Sequence, residues 1–480
     1  MGLKSRKERT EQTTQPETPV GKGTQPLRAD LRFEFINDYF LSDELRALKE
    51  TAREFGEREL NALVPDPRDT FIPQEKLLAA LQNGASKEEL EKLVNAAPRK
   101  VKRSRAQEFV GREGRFPMEL WDKIASLGFF GIPFPEQYGG LGLGEMGNVA
   151  MFEELGKYDS GVAASIGLQL GLWEMPLFLD GTEDQRQQYL VPSIQGKMRG
   201  AFCLTEPGHG SDATNLETRA VEKNGYFHLT GTKQFITSAT YADYFIVFGV
   251  TDPELQPGRG TSALIVPANA PGVTLGPHED KMGIRASETA SVRFDDVKVP
   301  VDSILGGNER RGKGLFSAML AIDISRLTLA AGALGGSVAA IDKTLAFAAQ
   351  REVAGGLLIT KDNFQQDIGR CVAETYNMAT TVYCIAKSVD DWIERGRPMQ
   401  GYRSPFTVLA AVAKSLAPVK AREVITNALI YHGGYGFIED YDIAKMYRDE
   451  IISELFEGTT FTCQKEIMKW VRDAGEYNLH

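Results

Sequence analysis

Near the C-terminal end of the chain, ISELFEGTTFT (Ile452–Thr462) sets one carboxylate, Glu457, between an aromatic residue and a Gly-Thr-Thr sequence. A carboxylate works as a general base when opposing influences tune it. A nearby helix N-terminus favours the ionised form, and apolar burial disfavours it. Both influences are foreshadowed here. Thr459 or Thr460 can cap a following helix, and Leu455 and Phe456 precede the acid. Taken alone, the stretch reads more simply as a helix-capping or surface acid.

A second set of residues suits a flat or phosphorylated ligand. FCLTEPGHGSD (Phe202–Asp212) combines Thr205, two glycines and Ser211, whose small side chains and open backbone N–H groups let a ring or phosphate approach. KQFITSA supplies Phe235 and Thr237, two apart and so expected on one face of a strand. An aromatic-plus-hydroxyl face suits an isoalloxazine ring, although each stretch alone also fits an ordinary loop or strand. GLGLGEMG matches GxGxxG at Gly142, Gly144 and Gly147, but PFPEQYGG before it reads as a loop between helices. A dinucleotide fold needs a strand there, so a helix-linking turn is expected instead. The four cysteines lack CxxC spacing and the five histidines form no HxxxH pair. Neither a disulfide framework nor a metal site is expected, and a reducing compartment fits.

These residues need elements to hold them. The chain has 480 residues and a formal net charge of -10, which argues against nucleic acid as the main partner. No apolar run is expected to be long enough to span a bilayer, and the polar stretch 1–30 reads as a disordered tail. A cytoplasmic location is expected, or the mitochondrial matrix in a eukaryote. Residues 31–198 read as a helical domain, with SDELRALKETAREFGERELNAL and PMELWDKIASLGFFGIP among its helices. Within it, 64–114 has another texture: SKEELEKLV opens with a capping box, Ser86 to Glu89, and RKVKRSR carries five bases in seven residues. It reads as a solvated helical insertion with a basic end, or else as a docking surface for an acidic partner or a substrate phosphate. Residues 199–310 change to short β-branched and aromatic runs, predicting an antiparallel β domain. Residues 311–480 return to long helices, one of them expected to kink at Pro418.

In order and at matching spacing, PEQYGGLG, FCLTEPGHGSD, GTKQFITSA, MGIRASETASVRFDDVKVP, RLTLAAGALG, HGGYGFIEDYDIAKMYRD and FEGTT resemble the acyl-CoA dehydrogenase family over roughly 38–474, the insertion excepted. The resemblance implies a helical N-terminal domain, a central β domain and a C-terminal four-helix bundle. It implies FAD, an acyl-CoA substrate, an electron-transfer flavoprotein as acceptor, and a homotetramer or homodimer. Glu457 then matches the base that removes the α-proton. Some members place the base just before an Arg on the first bundle helix, but that position here is Ser325, before Arg326. Phe202, Leu204, Thr205, Gly210, Ser211, Phe235, Ile236, Thr237 and Thr459 match flavin contacts. Ser211, Asp323, Arg326 and Gly458 match the substrate side. Arg351, Gly433 and Gly434 match contacts to FAD across a subunit boundary.

The sequence also departs from the family pattern. Arg351-Glu352-Val353-Ala354-Gly355 lacks the family's Thr and Phe after the Arg, Phe235 replaces a common Trp, and Phe456 replaces a frequent Tyr. Asp362, Ile430 and Phe461 each stand where Gln is common. Glu454 matches no family role and reads as a surface acid. An acyl-CoA oxidase and a catalytically silent scaffold homologue are the other readings.

Overall fold

The layers follow the apolar patterning and the caps that bound it. In the computed structural model, which describes residues 40–61, 63–65, 86, 89, 102–106, 114–395 and 405–478, helices flank one central sheet. The tail 1–30 lies outside the described residues. Helix α1 (Asp43–Phe55) starts at Ser42, whose hydroxyl accepts from Leu45 N, and it buries Leu45, Leu48, Ala52 and Phe55. Helices α2 (Gly144–Gly156) and α3 (Ser160–Leu168) both pack against the long helix that begins at Gly314. Asp159 caps α3 by accepting from Val162 N at 2.7 Å.

The C-terminal bundle is built on α4 (Gly314–Ala348), α5 (Asp362–Glu394), α6 (Pro405–His432), α7 (Asp442–Glu450) and α8 (Thr460–Asn478). Helix α4 is buried along most of its length and packs on both α2 and α6. Glycine makes the α2–α4 contact possible. A Cβ on Gly335 would lie 1.9 Å from Glu153 O, and one on Gly156 would lie 2.3 Å from Gly332 O.

Between the helical parts lies a seven-stranded sheet, ordered β3-β6-β4-β5-β9-β8 with β7 on β6. Its strands are β3 (Gly200–Cys203), β4 (Arg219–Lys223), β5 (Tyr226–Thr237), β6 (Tyr244–Val250), β7 (Thr261–Pro267), β8 (Val273–His278) and β9 (Thr289–Pro300). Most pairs are antiparallel, but β3 runs parallel to β6, and β4 meets β6 in parallel at Arg219.

Several local expectations are corrected. PMELWDKIASLGFFGIP is not one helix. Only Trp121–Ser126 is α-helical, with single 3-10 turns on either side, because Gly128 turns left-handed (φ 74°). The GxGxxG glycines are not all in a turn, since α2 begins at Gly144 and Gly147 lies inside it. In the insertion, the described residues include an antiparallel strand pair, β1 (Leu63–Pro65) with β2 (Lys102–Ser104), so part of the basic run is strand rather than helix end. The capping box is present: Glu89 accepts from Ser86 N at 2.9 Å, and Ser86 Oγ accepts from Glu89 N at 3.3 Å. Two helical segments, Ser160–Asp180 and Gly314–Ala348, are long and apolar enough to cross a bilayer, contrary to the sequence reading. The shares of these windows buried inside the protein are 78% and 89%, so packing within the chain uses their apolar surface.

Candidate active site

Glu457 sits where the bundle, the sheet and α3 converge. It lies between a 3-10 turn (Ile451–Glu454) and α8, which begins at Thr460. Thr459 is the effective cap, its Oγ1 accepting from Thr462 N at 3.2 Å. Both Glu457 and Gly458 are left-handed, at φ 57° and 90°. For a glutamate this conformation costs on the order of 1–3 kcal/mol and persists only where neighbours dictate it. Two buried cations do so. Arg326 Nε donates to Glu457 O at 2.9 Å, and Lys414 Nζ donates to Gly458 O. The positive φ of Gly458 favours glycine, and a Cβ there would stand 2.8 Å from Arg326 Nη2, so a side chain would also have to displace that guanidinium.

The carboxyl of Glu457 has two unlike oxygens. Oε1 accepts from Ser325 Oγ at 2.6 Å, whereas Oε2 is buried and has no partner. Burial pushes its pKa up to about 7, against the Ser325 hydrogen bond and the charges of Arg326 and Lys414. The sequence suggested that Leu455 and Phe456 would bury it. Leu455 is instead 54% exposed, while Phe456 lines both cavities with Glu457, and the rest of the enclosure comes from α3, α4 and the sheet. Close approach of α4 relies on Gly171, where a Cβ would be 3.0 Å from Ser325 Oγ.

Glu457 lines two cavities. The larger, of about 210 Å³, is bounded by Phe202, Leu204, Thr205, Gly210, Ser211, Phe235, Ile236 and Thr237 on the sheet side, and by Arg326, Glu457 and Gly458 on the bundle side. Phe235 and Thr237 do not arrive by simple alternation. The β5–β9 register slips between Lys233 and Ile236, Phe235 is left-handed (φ 58°), and three consecutive residues reach the cavity. Phe235 is 63% exposed there.

Asp323 does not line this cavity. It is buried behind Arg326, whose Nη1 donates to Asp323 Oδ1 at 3.0 Å and to Glu466 Oε2 at 2.8 Å, while Thr407 donates to Asp323 Oδ2 at 2.6 Å. Burial raises the Asp323 carboxyl to about 6 despite Arg326. Arg351, Gly433 and Gly434 are also elsewhere. They share a separate hollow with Tyr435, over whose ring the Arg351 guanidinium lies at 5.6 Å.

Residue reading alone missed the pair that joins the two sheet motifs. Lys233 Nζ donates to Glu206 Oε1 at 2.8 Å and to Leu204 O at 3.0 Å, with both side chains essentially buried. Glu206 also accepts from the N–H groups of Glu217 and Thr218. Burial would raise its carboxyl, but Lys233 and these donors hold it below the ordinary range. His209 and Glu217 approach Glu206 closely, yet both Glu206 oxygens already have donors. The signal available was a Lys and a Glu each inside a chemistry-bearing motif. Lys414 gave no such signal, being one base in an Ala-rich helix.

Profiles for the acyl-CoA dehydrogenase N-terminal, middle and C-terminal domains match residues 84–197, 201–297 and 312–471. A short-chain-specific acyl-CoA dehydrogenase from Megasphaera elsdenii is 38% identical over 352 residues, 72% of this chain and 88% of that protein. The caffeyl-CoA reductase-Etf complex subunit CarC of Acetobacterium woodii is 34% identical, over 73% of this chain and 89% of that protein. Butyryl-CoA dehydrogenase from M. elsdenii superposes with a TM-score of 0.75 at 31% identity, covering 90% of this chain and 99% of that one.

Proposed function

Because this chain belongs to the acyl-CoA dehydrogenase family of flavoprotein oxidoreductases, we propose that it dehydrogenates an acyl-CoA thioester across its α and β carbons, with Glu457 taking the α-proton. The observation that carries this reading is the buried, unpartnered Oε2 of Glu457, on a carboxyl tuned to about 7 between two adjoining cavities. A base with that affinity is ionised in a large fraction at neutral pH and still binds a proton well.

FAD, when bound, supplies the acceptor for the β-hydride. The residues present fit it. Phe235 offers an exposed aromatic face at the mouth of the larger cavity, beside the hydroxyls of Thr205, Ser211 and Thr237. Added Cβ atoms at Gly208 and Gly210 would meet nothing within 4 Å, leaving the loop backbone open to a ligand. The chain's own work is positional. Arg326 and Lys414 hold the Glu457–Gly458 backbone so that the carboxyl is presented. Ser325 keeps Oε1 occupied and leaves Oε2 for the proton. The Glu457 N–H serves as a donor to the thioester oxygen as negative charge develops there. Arg326, with Asp323 behind it, and Ser211 face the CoA arm.

An electron-transfer flavoprotein is the proposed acceptor, supported by the Etf complex of the A. woodii relative. A second copy of the chain is the proposed complement to the hollow at Arg351, Gly433 and Gly434. The test is anaerobic mixing of holoprotein with a set of acyl-CoA thioesters. Loss of the oxidised-flavin absorbance is expected with at least one; no bleaching by any acyl type sinks the reading. Peroxide formed in air without an added acceptor would assign an oxidase instead.

A further inference from the structure

Arg326 holds the Glu457 backbone, and two acids from different helices hold Arg326. The residue is 3% exposed. Its Nε donates to Glu457 O at 2.9 Å, and its Nη1 donates to Asp323 Oδ1 at 3.0 Å and to Glu466 Oε2 at 2.8 Å. The two acids are not equivalent. Asp323 lies one turn back on α4 itself and is buried. Burial, together with the Glu466 charge beside it, pushes the Asp323 carboxyl up to about 6 against Arg326 and Thr407. Glu466 lies on α8, the helix that follows the base, and its side chain is 32% exposed. Water therefore solvates part of Glu466, which Asp323 lacks.

The bond to Glu466 bridges a gap. Met319, Ile322 and Arg326 line the larger cavity from α4, at the i, i+3, i+7 spacing of one helix face. Gly458, Thr462 and Glu466 line it from α8 and the turn before it, at i, i+4, i+8. Helix α8 packs chiefly on α6. The Arg326–Glu466 bond therefore ties α8 to α4 across the cavity wall. It also closes a ring. Ser325 bonds Glu457 Oε1, Arg326 bonds Glu457 O, and the same guanidinium bonds Glu466. Adjacent residues of α4 thus grip the side chain and the carbonyl of the base. Arg326 also fixes α8 at a point about 9 Å of rise beyond its first residue. The left-handed backbone at Glu457 and Gly458 depends on that grip. Asp323 alone would tie the guanidinium to its own helix, whereas Glu466 draws it across towards the base.

We propose that Glu466 is a positioning residue for the base: through Arg326 it holds the Glu457 carbonyl, and so aims the free Oε2 at the α-carbon of the thioester. This rests on the dehydrogenase reading above and adds to it a residue that acts on the base and not on the substrate. Loss of the tie shifts Oε2 while the cavity walls stay in place. Proton transfer should slow without weaker thioester binding.

The test uses FAD-loaded Glu466→Leu and Glu466→Gln with the thioester that bleaches the wild type fastest. In stopped flow, Glu466→Leu is expected to lower the limiting rate of flavin reduction about tenfold, with the half-saturating thioester concentration within about twofold of wild type. Glu466→Gln keeps an acceptor for Nη1 and is expected to recover most of the rate. A second measurement needs no turnover: the infrared carboxyl band that Glu457→Gln removes, followed against pH. Burial raises the Glu457 carboxyl, and the charges facing it, Arg326 from α4 and Lys414 from α6, favour its ionised form. With the tie gone Arg326 is held less closely. The midpoint, about 7 in the wild type, is therefore expected to rise by roughly half a unit in Glu466→Leu and to stay in place in Glu466→Gln. An unchanged rate or an unchanged midpoint in Glu466→Leu overturns the proposal. So does a loss confined to the half-saturating concentration, which would make Glu466 a contact to the CoA arm, and so does a Glu466→Gln variant as slow as Glu466→Leu. If no thioester bleaches the wild type, the dehydrogenase reading falls by itself, and the infrared midpoint decides the role of Glu466.

Discussion

Two parts of the molecule hold the residues matched to family roles, and they are built in opposite ways. Around Glu457 the chain supplies nearly every partner itself. Glycines are forced by close approach at Gly171 and Gly458, cations lie buried under backbone carbonyls, and a buried ion pair joins Glu206 to Lys233. Around Gly433 and Gly434 an added Cβ would meet nothing within 4 Å. Arg351 is exposed, Ile430 is 64% exposed and Phe437 is 85% exposed. The first region is finished by one chain. The second presents apolar and cationic groups that lie open among the described residues. A residue match therefore carries different weight in the two places. In the first, contacts within the chain already constrain the role, whereas in the second the described residues of the chain supply few such contacts.

Glu457→Gln tests the first region hardest. It is expected to slow flavin reduction by acyl-CoA by about 10²–10⁴-fold, with FAD content unchanged; stopped-flow absorbance that shows near wild-type reduction would remove Glu457 from the reaction. Lys233→Met leaves Glu206 buried without its counter-charge, and is expected to cost about 3–5 kcal/mol in denaturant unfolding. The matching change in the other region, Arg351→Met, is expected to shift the same measurement by no more than about 0.5 kcal/mol. Equal losses would erase the contrast.

Smaller effects sharpen it. Gly171→Ala pushes on Ser325 and is expected to destabilise by about 1–3 kcal/mol, whereas Gly434→Ala is expected to leave unfolding within about 0.5 kcal/mol. Any effect of Gly434→Ala should appear instead in FAD retention or oligomer mass, read by absorbance ratio and light scattering. The least change concerns proton affinity. The base must be ionised, so the rate of flavin reduction is expected to fall as pH drops through about 7. Ser325→Ala removes a bond that favours the ionised form, and should move that limb upward by about one unit or less. A limb that moves downward contradicts the hydrogen bond at Oε1.

Much of this was legible in the residues. The strand limits Tyr226–Thr237 and Tyr244–Val250 coincide with the apolar and β-branched runs YFHLTGTKQFIT and YFIVFGV, because strand patterning and its turn residues are local. The order of motifs identified the family, and Ser325 directed attention to Glu457 as the base. Local patterning misled at the Phe235 bulge and in the insertion, where β1 and β2 pair although they lie far apart in the sequence. Neither a register slip nor a distant strand partner leaves a mark in a short window.

The sequence by itself therefore determined most of the long elements, which family the chain joins, and which acid has the right company. Tertiary structure alone decided how that acid is tuned. The Ser325–Glu457 bond joins residues 132 apart, and the burial that raises the carboxyl comes from three parts of the chain. It also decided that Glu450 and Glu457 line one cavity, through a face of α4 that neither stretch announces. Propensity and capping act within a turn or two of chain. Desolvation and hydrogen bonding depend on whatever folding brings within a few ångströms, and so they are settled only when the elements pack.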